Sequence, residues 1–456
     1  MSLDIAELVL SLLPDGAEGE VSVDRQELAL TRFANSFIHQ NVADVTTEVR
    51  LRVHADGRTL AGSTTVANED GLRALVARTV EGSRLAPRDP HWPGLSAPAA
   101  LRGNGAFDPA TVDASPADRA ARVASFVDSA GGFETAGYCR TLHWSGAFAN
   151  SAGQSVTGAS TEAAMDGIAR ADGADGVARI ASAALSTIDG AVLGARAAAK
   201  ARAGIDPVEL PPGRYEVVLE PQAVADILQN LAAHGFNGKA YQERRSFAVL
   251  GEQQFDSSIT LVDDPLDGTA AGLPYDAEGT PKRRLALAEA GVSRAVTHDR
   301  RTAALTGDGA ESTGHALSSI GPWGPIAHNL GIVAPMGGSP AEVAGPVADS
   351  SVAALVAGVR HGLLVTDFWY TRVLDPKTLA ITGLTRNGVW LIEDGEVTRP
   401  VRNFRFTQAY GQALGSGNVL GIGAYAVPQP NAWGSARWSA PALHLASWNF
   451  TGGASG

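Results

Sequence analysis

Near the middle of the chain, Gly204-Ile205-Asp206-Pro207 and Pro211-Pro212-Gly213 interrupt every regular pattern. Proline removes a backbone donor and fixes its own φ, so no helix or strand runs through two such clusters. The text on either side is unlike. Before the break, alternating strand-like segments are framed by helical periods; after it, short strands and Gly-rich turns dominate. A chain of 456 residues also exceeds the size at which one hydrophobic core keeps growing. The expectation is an N-terminal α+β domain over residues 1–206, with helices on an antiparallel sheet. A mostly β, barrel-like domain over residues 207–456 follows.

Periodicity fills in the first half. A helix is predicted from Asp4 to Leu13, stopped by Pro14-Asp15-Gly16. Glu20–Val23, Leu28–Phe33 and Thr46–His54 alternate as strands, with Asn35-Ser36 and Ala55-Asp56-Gly57 as turns. Glu69 to Leu85 reads as a helix, with Leu72, Leu75, Val76 and Val80 at helical spacing. Residues 87–105 are rich in Pro, Gly and Ala and read as an irregular connection. Ser115-Pro116-Ala117-Asp118 is a helix start, with Ser at the N-cap and an acid three residues on. Asp166-Gly167, Asp172-Gly173 and Asp175-Gly176 all read as hairpin turns. Ala191 to Ala203 reads as a helix, Arg214 to Leu219 as a strand, and Pro221 to His234 as a further helix.

Charge and composition exclude several functions. With 36 basic against 48 acidic residues the net charge is −12, which disfavours a phosphate backbone, so no nucleic-acid partner is expected. The apolar N-terminal run has no preceding Lys or Arg and contains Asp4 and Glu7, so it reads as an amphipathic helix rather than a signal peptide. No uninterrupted apolar stretch approaches the roughly 18 residues of a spanning helix. No membrane partner is expected, and the location implied is cytoplasmic. The one cysteine, Cys139, forms no internal disulfide and cannot build a Cys-rich zinc site.

Several stretches, in order, resemble the TldD/PmbA metallopeptidase-like family. They are Leu30 to Gln40, Tyr215 to Pro221, Asp263-Asp264-Pro265, Tyr275 to Pro281, Arg300 to Ala303, Gly388 to Val397 and Pro441 to Leu445. The resemblance implies one of two kinds of member. The TldD kind carries zinc on a His-Glu-x-x-x-His helix and a Cys near the C-terminus. Two imidazoles and a thiolate hold the metal, an open position takes water, and the Glu accepts its proton. The TldE kind, also called PmbA, lacks this site and pairs with the first.

By resemblance this chain is of the TldE kind. If His234 takes the last motif position, Gln229 stands where the first His belongs and Asn230 where the Glu belongs. No Cys lies between Pro428 and Ser439. The degenerate positions Gln229, Asn230 and His234 therefore imply no metal ligands and no catalytic residue here. His234 itself reads as a histidine at a helix C-terminus, favoured by the helix dipole. The resemblance implies a non-catalytic subunit of a two-component zinc metalloprotease acting on peptides. Zinc is expected in the TldD-like partner, not in this chain, and a homodimer is the form open to the isolated protein. Two alternatives stand beside this: an autonomous hydrolase with atypical ligands, and a homo-oligomeric peptide-binding scaffold.

The remaining candidates read more plainly. His298, His315, His328 and His361 have no ligand spacing and read as scattered surface or core residues. Asp263-Asp264-Pro265-Leu266-Asp267-Gly268 and Asp276-Ala277-Glu278-Gly279 fail the calcium-loop pattern and read as turns. The family resemblance puts this segment near a cleft, which makes Asp264, Tyr275, Asp276 and Glu278 peptide-cleft candidates. Gly415-Ser416-Gly417-Asn418 is no nucleotide fingerprint, because no helical pattern follows. Phe368-Trp369-Tyr370 reads as packing or interface, and Trp433, Trp438 and Trp448 as either core or ligand contacts.

Overall fold

The computed structural model describes residues 2–307, 309–318, 323–431 and 436–453. Its first layer is a six-stranded sheet in the order β3-β2-β1-β4-β5-β6. The strands are β1 (Glu18–Ala34), β2 (Phe37–Ala55), β3 (Arg58–Thr64), β4 (Glu134–Asn150), β5 (Ser155–Ala171) and β6 (Ala174–Ser182). All pair antiparallel. The segments Glu20–Val23 and Leu28–Phe33 belong to the single long strand β1. Asn35 and Ser36 (φ 50° and 64°) turn β1 into β2, and Asp56 and Gly57 (φ 49° and 70°) turn β2 into β3. Two successive positive φ values match the right-handed twist of the strands they join.

Helices cover the sheet: α1 (Ser2–Ser11), α2 (Glu69–Ser83), α3 (Pro109–Val112), α4 (Pro116–Ser129) and α5 (Gly190–Ala203). The expected capping box is present at α4, where Ser115 accepts from the Asp118 amide and Asp118 accepts from the Ser115 amide. One apolar cluster joins α1 and α2 to the sheet through Val21, Val49, Leu51, Leu72 and Leu75. Another joins α4 and α5 to it through Phe33, Phe126, Met165 and Leu193.

Of the three Asp-Gly pairs, only Asp172-Gly173 is a turn, with φ 45° and 82°. Asp166-Gly167 lies inside β5 and Asp175-Gly176 inside β6. Here the glycines serve packing rather than turning. A Cβ on Gly167 would stand 2.5 Å from the Phe126 ring of α4, and one on Gly176 would stand 2.1 Å from the Ala197 carbonyl oxygen of α5.

After the Pro/Gly break the chain is mostly β. A five-stranded barrel is formed by β7 (Gly213–Leu219), β12 (His361–Asp375), β13 (Ala380–Glu393), β15 (Phe404–Ala409) and β19 (Leu443–Gly453). The order is β12-β7-β19-β15-β13, and the ring closes where β13 pairs back with β12. The strands β14 (Glu396–Pro400) and β16 (Val419–Ile422) flank it on β13 and β19. A second sheet runs β10-β9-β8-β11-β18-β17. It is made of β8 (Leu261–Asp263), β9 (Leu285–Glu289), β10 (Val292–Ser293), β11 (Leu330–Ile332), β17 (Val427–Pro430) and β18 (Arg437–Ala440). The helices here are α6 (Pro221–Asn230), α7 (Gly238–Gln242), α8 (Arg300–Thr306), α9 (Ser350–Val356) and α10 (Tyr410–Ala413).

The core of this half encloses α6 with strands of both sheets. Trp448 stacks on Phe368 at 4.9 Å and meets Phe406 edge-on at 5.3 Å. Trp438 and Trp448 are thus core residues, whereas Trp433 lies outside the described residues. Phe368 is buried, while its neighbours Trp369 and Tyr370 are exposed. Among the described residues no helix is long and apolar enough to cross a membrane.

Candidate functional site

Helix α6 starts from Glu220 at its N-cap with Pro221 in the first turn, a position where a missing amide donor costs nothing. The α-helix ends at Asn230, and Leu231–Gly235 continue as a π-helical turn. Its widening is marked by the Phe236 amide donating to the Leu231 carbonyl at 2.8 Å. In a regular α-helix positions i and i+5 lie about 140° apart. An i to i+5 hydrogen-bonded turn brings such positions back toward one face, and Gln229 and His234 have this spacing. Strands β17 and β18, which hold most of the described part of Pro428–Ser439, lie against α6.

Side chains on this helix form a hydrogen-bonded centre around Asp226. The Asn230 amide donates to the Asp226 backbone carbonyl at 2.9 Å and to its Oδ1 at 3.1 Å. The Tyr410 hydroxyl donates to the same Oδ1 at 3.1 Å, and the Thr371 hydroxyl donates to Oδ2 at 2.7 Å. Burial pushes Asp226 up to about 6, against the three side-chain donors that favour its charged form. The network ties α6 to β12 and α10. His234 stands in the last turn of this helix, as read from the sequence. Burial, with Arg245 nearby, holds it below the usual histidine range, so it is neutral near neutral pH.

Three of the histidines that look scattered in sequence converge. His315 Nε2 is 3.1 Å from Asp263 Oδ2, and its Nδ1 is 2.9 Å from the Thr313 hydroxyl. Asp263 also accepts from the Asn329 amide at 2.7 Å. Lys282, His315, His328 and Asp263 surround a cavity of about 20 Å³, room for a single water. Burial and the Lys282 charge push His328 down to about 4. His298 packs nearby and meets the Thr302 hydroxyl at 3.2 Å, while Asp299 caps α8. Both ring nitrogens of His315 are already engaged. Among the described residues no three His, Cys, Asp or Glu side chains are grouped to hold a metal ion.

The four cleft candidates separate. Asp264 lines a groove of about 640 Å³ and pairs with Arg284 at 3.4 Å. Tyr275 is buried, and burial raises its hydroxyl pKa. Asp276 is a loop anchor: Oδ1 accepts from the Glu278 and Thr280 amides and Oδ2 from the Ala316 amide, each at 2.9 Å. Burial and the Glu278 carboxylate push it up to about 7. Glu278 accepts from Arg52 at 3.0 Å and from the Arg300 amide at 2.9 Å. It lines a second cavity of about 630 Å³, bounded also by β1, β2 and β3. Among the described residues, neither of these two cavities is lined by all four.

Sequence reading missed Asp226 and Lys282; Asp226 takes its hydroxyl donors Thr371 and Tyr410 from distant elements, and Lys282 faces Asp263 from a separate segment. The resemblance signal at Gln229 and Asn230 was the one pointer toward α6.

Comparison with known proteins follows the same outline. Residues 212–452 match the family model described as the PmbA/TldA metallopeptidase C-terminal domain. A metalloprotease of Methanothermobacter thermautotrophicus is 26% identical over 212 residues, 46% of this chain and 41% of that protein. A metalloprotease of Methanocaldococcus jannaschii is 26% identical over 107 residues, covering 22% of this chain and 24% of its own. The aligned regions thus span less than half the length of these relatives. Among solved structures, TldE from Thermococcus kodakarensis superposes with a TM-score of 0.83 at 18% identity, covering 98% of this chain and 99% of that one. A putative modulator of a DNA gyrase from Thermotoga maritima gives 0.80 at 17% identity, covering 98% and 99%. A likeness at such identity is one of fold.

Proposed function

The chain belongs to the TldD/PmbA metallopeptidase family, and on that premise we propose that it is the non-catalytic, TldE-like subunit of a two-component zinc metalloprotease. A TldD-like partner carries the zinc, and this chain completes the wall of a peptide cleft. The observation that carries the reading is the use made of α6. Where the family's active members place a general base, Asn230 donates to Asp226, an arrangement in which an amide is needed as donor and a carboxylate would oppose Asp226. The wide turn after Asn230 supports an inherited backbone whose ligand chemistry has been replaced.

Exposed apolar side chains support a partner. Trp369, Tyr370 and Leu374 are 47%, 62% and 60% exposed on β12, and aromatic residues of this kind are enriched in interfaces. A cytoplasmic location fits the lone Cys139, whose thiol is buried and pushed up to about 11, far from a reactive thiolate.

Co-expression with a TldD-like paralogue tests the reading. One peak on size exclusion is expected, with zinc and peptide hydrolysis belonging to the pair and neither to this chain alone. The interface should exceed the roughly 1,000 Å² of a stable contact. Peptide cleavage by this chain alone, with a tightly held zinc, overturns the proposal.

A further inference from the structure

The cavity of about 630 Å³ bounded by β1, β2, β3 and the 277–318 segment is built from charges that do not balance. Arg52 bridges Glu20 and Glu278, and Asp276 is near enough for its charge to act on Glu20. At the other side Arg50 bridges Asp24 and Glu48. Two arginines thus stand among five carboxylates, of which Glu20, Glu48 and Glu278 line the cavity. Arg52 is also held in place by the Trp92 ring, 5.3 Å away, which itself stacks on His54. Glu20 is 5% exposed, and its Oε2 has no hydrogen-bond partner among the described residues; the Arg52 Nε has none either. An unmet acceptor and an unmet donor therefore belong to one ion-paired couple in the wall, and each is costly to leave so. Leu51, Leu60, Phe148 and Leu317 supply apolar surface beside them.

From this geometry we propose that the cavity binds the free N-terminal end of a peptide, Glu20 taking the α-ammonium and Arg52 Nε donating to the first carbonyl oxygen. The excess of carboxylates selects a cation over an anion. Arg52 occupies the space between Glu20 and Glu278, which favours an organic ammonium over a metal ion. The paired acceptor and donor match the ammonium and carbonyl that adjoin in every peptide N-terminus, whereas a lysine side chain offers the ammonium alone. Burial, reinforced by Glu278 and Asp276 and opposed by Arg52, raises Glu20 to about 7. Binding of an ammonium therefore strengthens as pH rises through that value, where Glu20 becomes charged. The inference rests on the peptide reading above for the natural occupant, but it is tested without the partner.

The test is titration calorimetry of the full chain at about pH 8, above the raised Glu20 value. The probes are Ala-Leu-Ala amide, its N-acetylated form, and Nα-acetyl-lysine amide. Binding of the first, with at least tenfold weaker binding of the other two, is expected. Glu20→Gln should weaken the free tripeptide at least tenfold, and lowering the pH to about 6 should weaken it about threefold to fivefold, because protonation of Glu20 outweighs the gain in ammonium from an α-amine of pKa about 8. Equal binding of the acetylated tripeptide, no binding of the free one at millimolar concentration, or an unchanged Glu20→Gln overturns the proposal. Equal or tighter binding of the lysine derivative overturns the N-terminus assignment. If Glu20→Gln does not fold, Ala61→Arg, on an exposed strand position at the rim, should cause the same loss, and unaltered binding there refutes the site. A pair that assembles and cleaves blocked and free peptides alike, with no binding to the isolated chain, leaves the subunit reading standing and removes this one.

Discussion

Replacing Lys200 with methionine tests how the two halves of the chain are held together. Lys200 projects from α5 and meets Glu220 at the N-cap of α6, and neither side chain has any exposed surface. Burial is the leading influence on both: it lowers Lys200 and raises Glu220, and each partner opposes the shift of the other. Methionine fills similar space without charge, so the change removes the compensation and little volume. Glu220 then retains the Ala348 amide, 3.0 Å from Oε1, as its hydrogen-bond donor. Breaking a buried pair from one side costs about 3–5 kcal/mol. With a urea m-value of about 3 kcal/mol/M, the upper end for small proteins, that is a midpoint shift of at least about 1 M. The loss should be greatest at alkaline pH. A carboxyl whose folded pKa is raised gives stability that is present below its unfolded value and lost as pH rises through the folded value. Adding Glu220→Gln to Lys200→Met should recover most of the loss, because no buried charge remains. Urea unfolding followed by tryptophan fluorescence reads both variants. A single-variant loss under about 1 kcal/mol, or a double variant no better than the single, refutes the reasoning.

Two further outcomes follow from close contacts already described. Gly176→Ala sets a methyl against the Ala197 carbonyl oxygen of α5 and should cost about 1–3 kcal/mol as overpacking, whereas Asp172→Gly, at an exposed turn position whose φ of 45° suits glycine, should change stability by under about 0.5 kcal/mol; thermal unfolding of the two separates packing from turn propensity. Gln229→His with Asn230→Glu recreates the motif ending at His234, yet it removes the amide that donates to Asp226 and places a second carboxylate beside it. Weak, readily chelated zinc and no peptidase activity are expected, read by metal analysis after dialysis, because two imidazoles without a third protein ligand hold zinc poorly.

Much of the first half is written in local pattern. The Ser115 cap, the Asn35-Ser36 and Asp56-Gly57 turns and the helical spacing of Leu72, Leu75 and Val76 each depend on neighbours a few residues away, so short-range physics specifies them. Asp166-Gly167 and Asp175-Gly176 mislead for the same reason. An Asp-Gly pair favours a turn locally, but in β5 and β6 glycine is required by helices crossing the sheet, and that demand comes from Phe126 and Ala197 in other elements. The two- and three-residue strands β8, β10 and β11 are too short to carry a period at all. The candidate site is less legible still. Asp226 draws its hydroxyl partners from 145 and 184 residues away, and Asp263, Lys282, His315 and His328 come from separate segments. Nothing in the spacing of these residues marks them as neighbours.

The π-helical turn after Asn230 is held by contacts from outside its own helix. Such turns are rare, and an uncommon local geometry persists where its surroundings determine it. Here the surroundings are aromatic and polar at once. Phe236 closes the turn and packs edge-on against Phe247 at 5.6 Å and stacked with Phe255 at 6.1 Å. The Ser246 hydroxyl donates to the Gly235 carbonyl, and the Phe236 carbonyl accepts from both the amide and the hydroxyl of Thr297. None of these contacts involves position 229 or 230. The turn is thus maintained by packing that requires no ligand on the helix, while Asp226, Thr371, Tyr410 and Asn230 form a separate hydrogen-bonded network one turn earlier. Substitutions at Gln229 therefore leave the backbone of α6 intact, and substitutions at Asn230 act through Asp226. Helix α6 is set against β17 and β18, and its shape is fixed by contacts made within this chain.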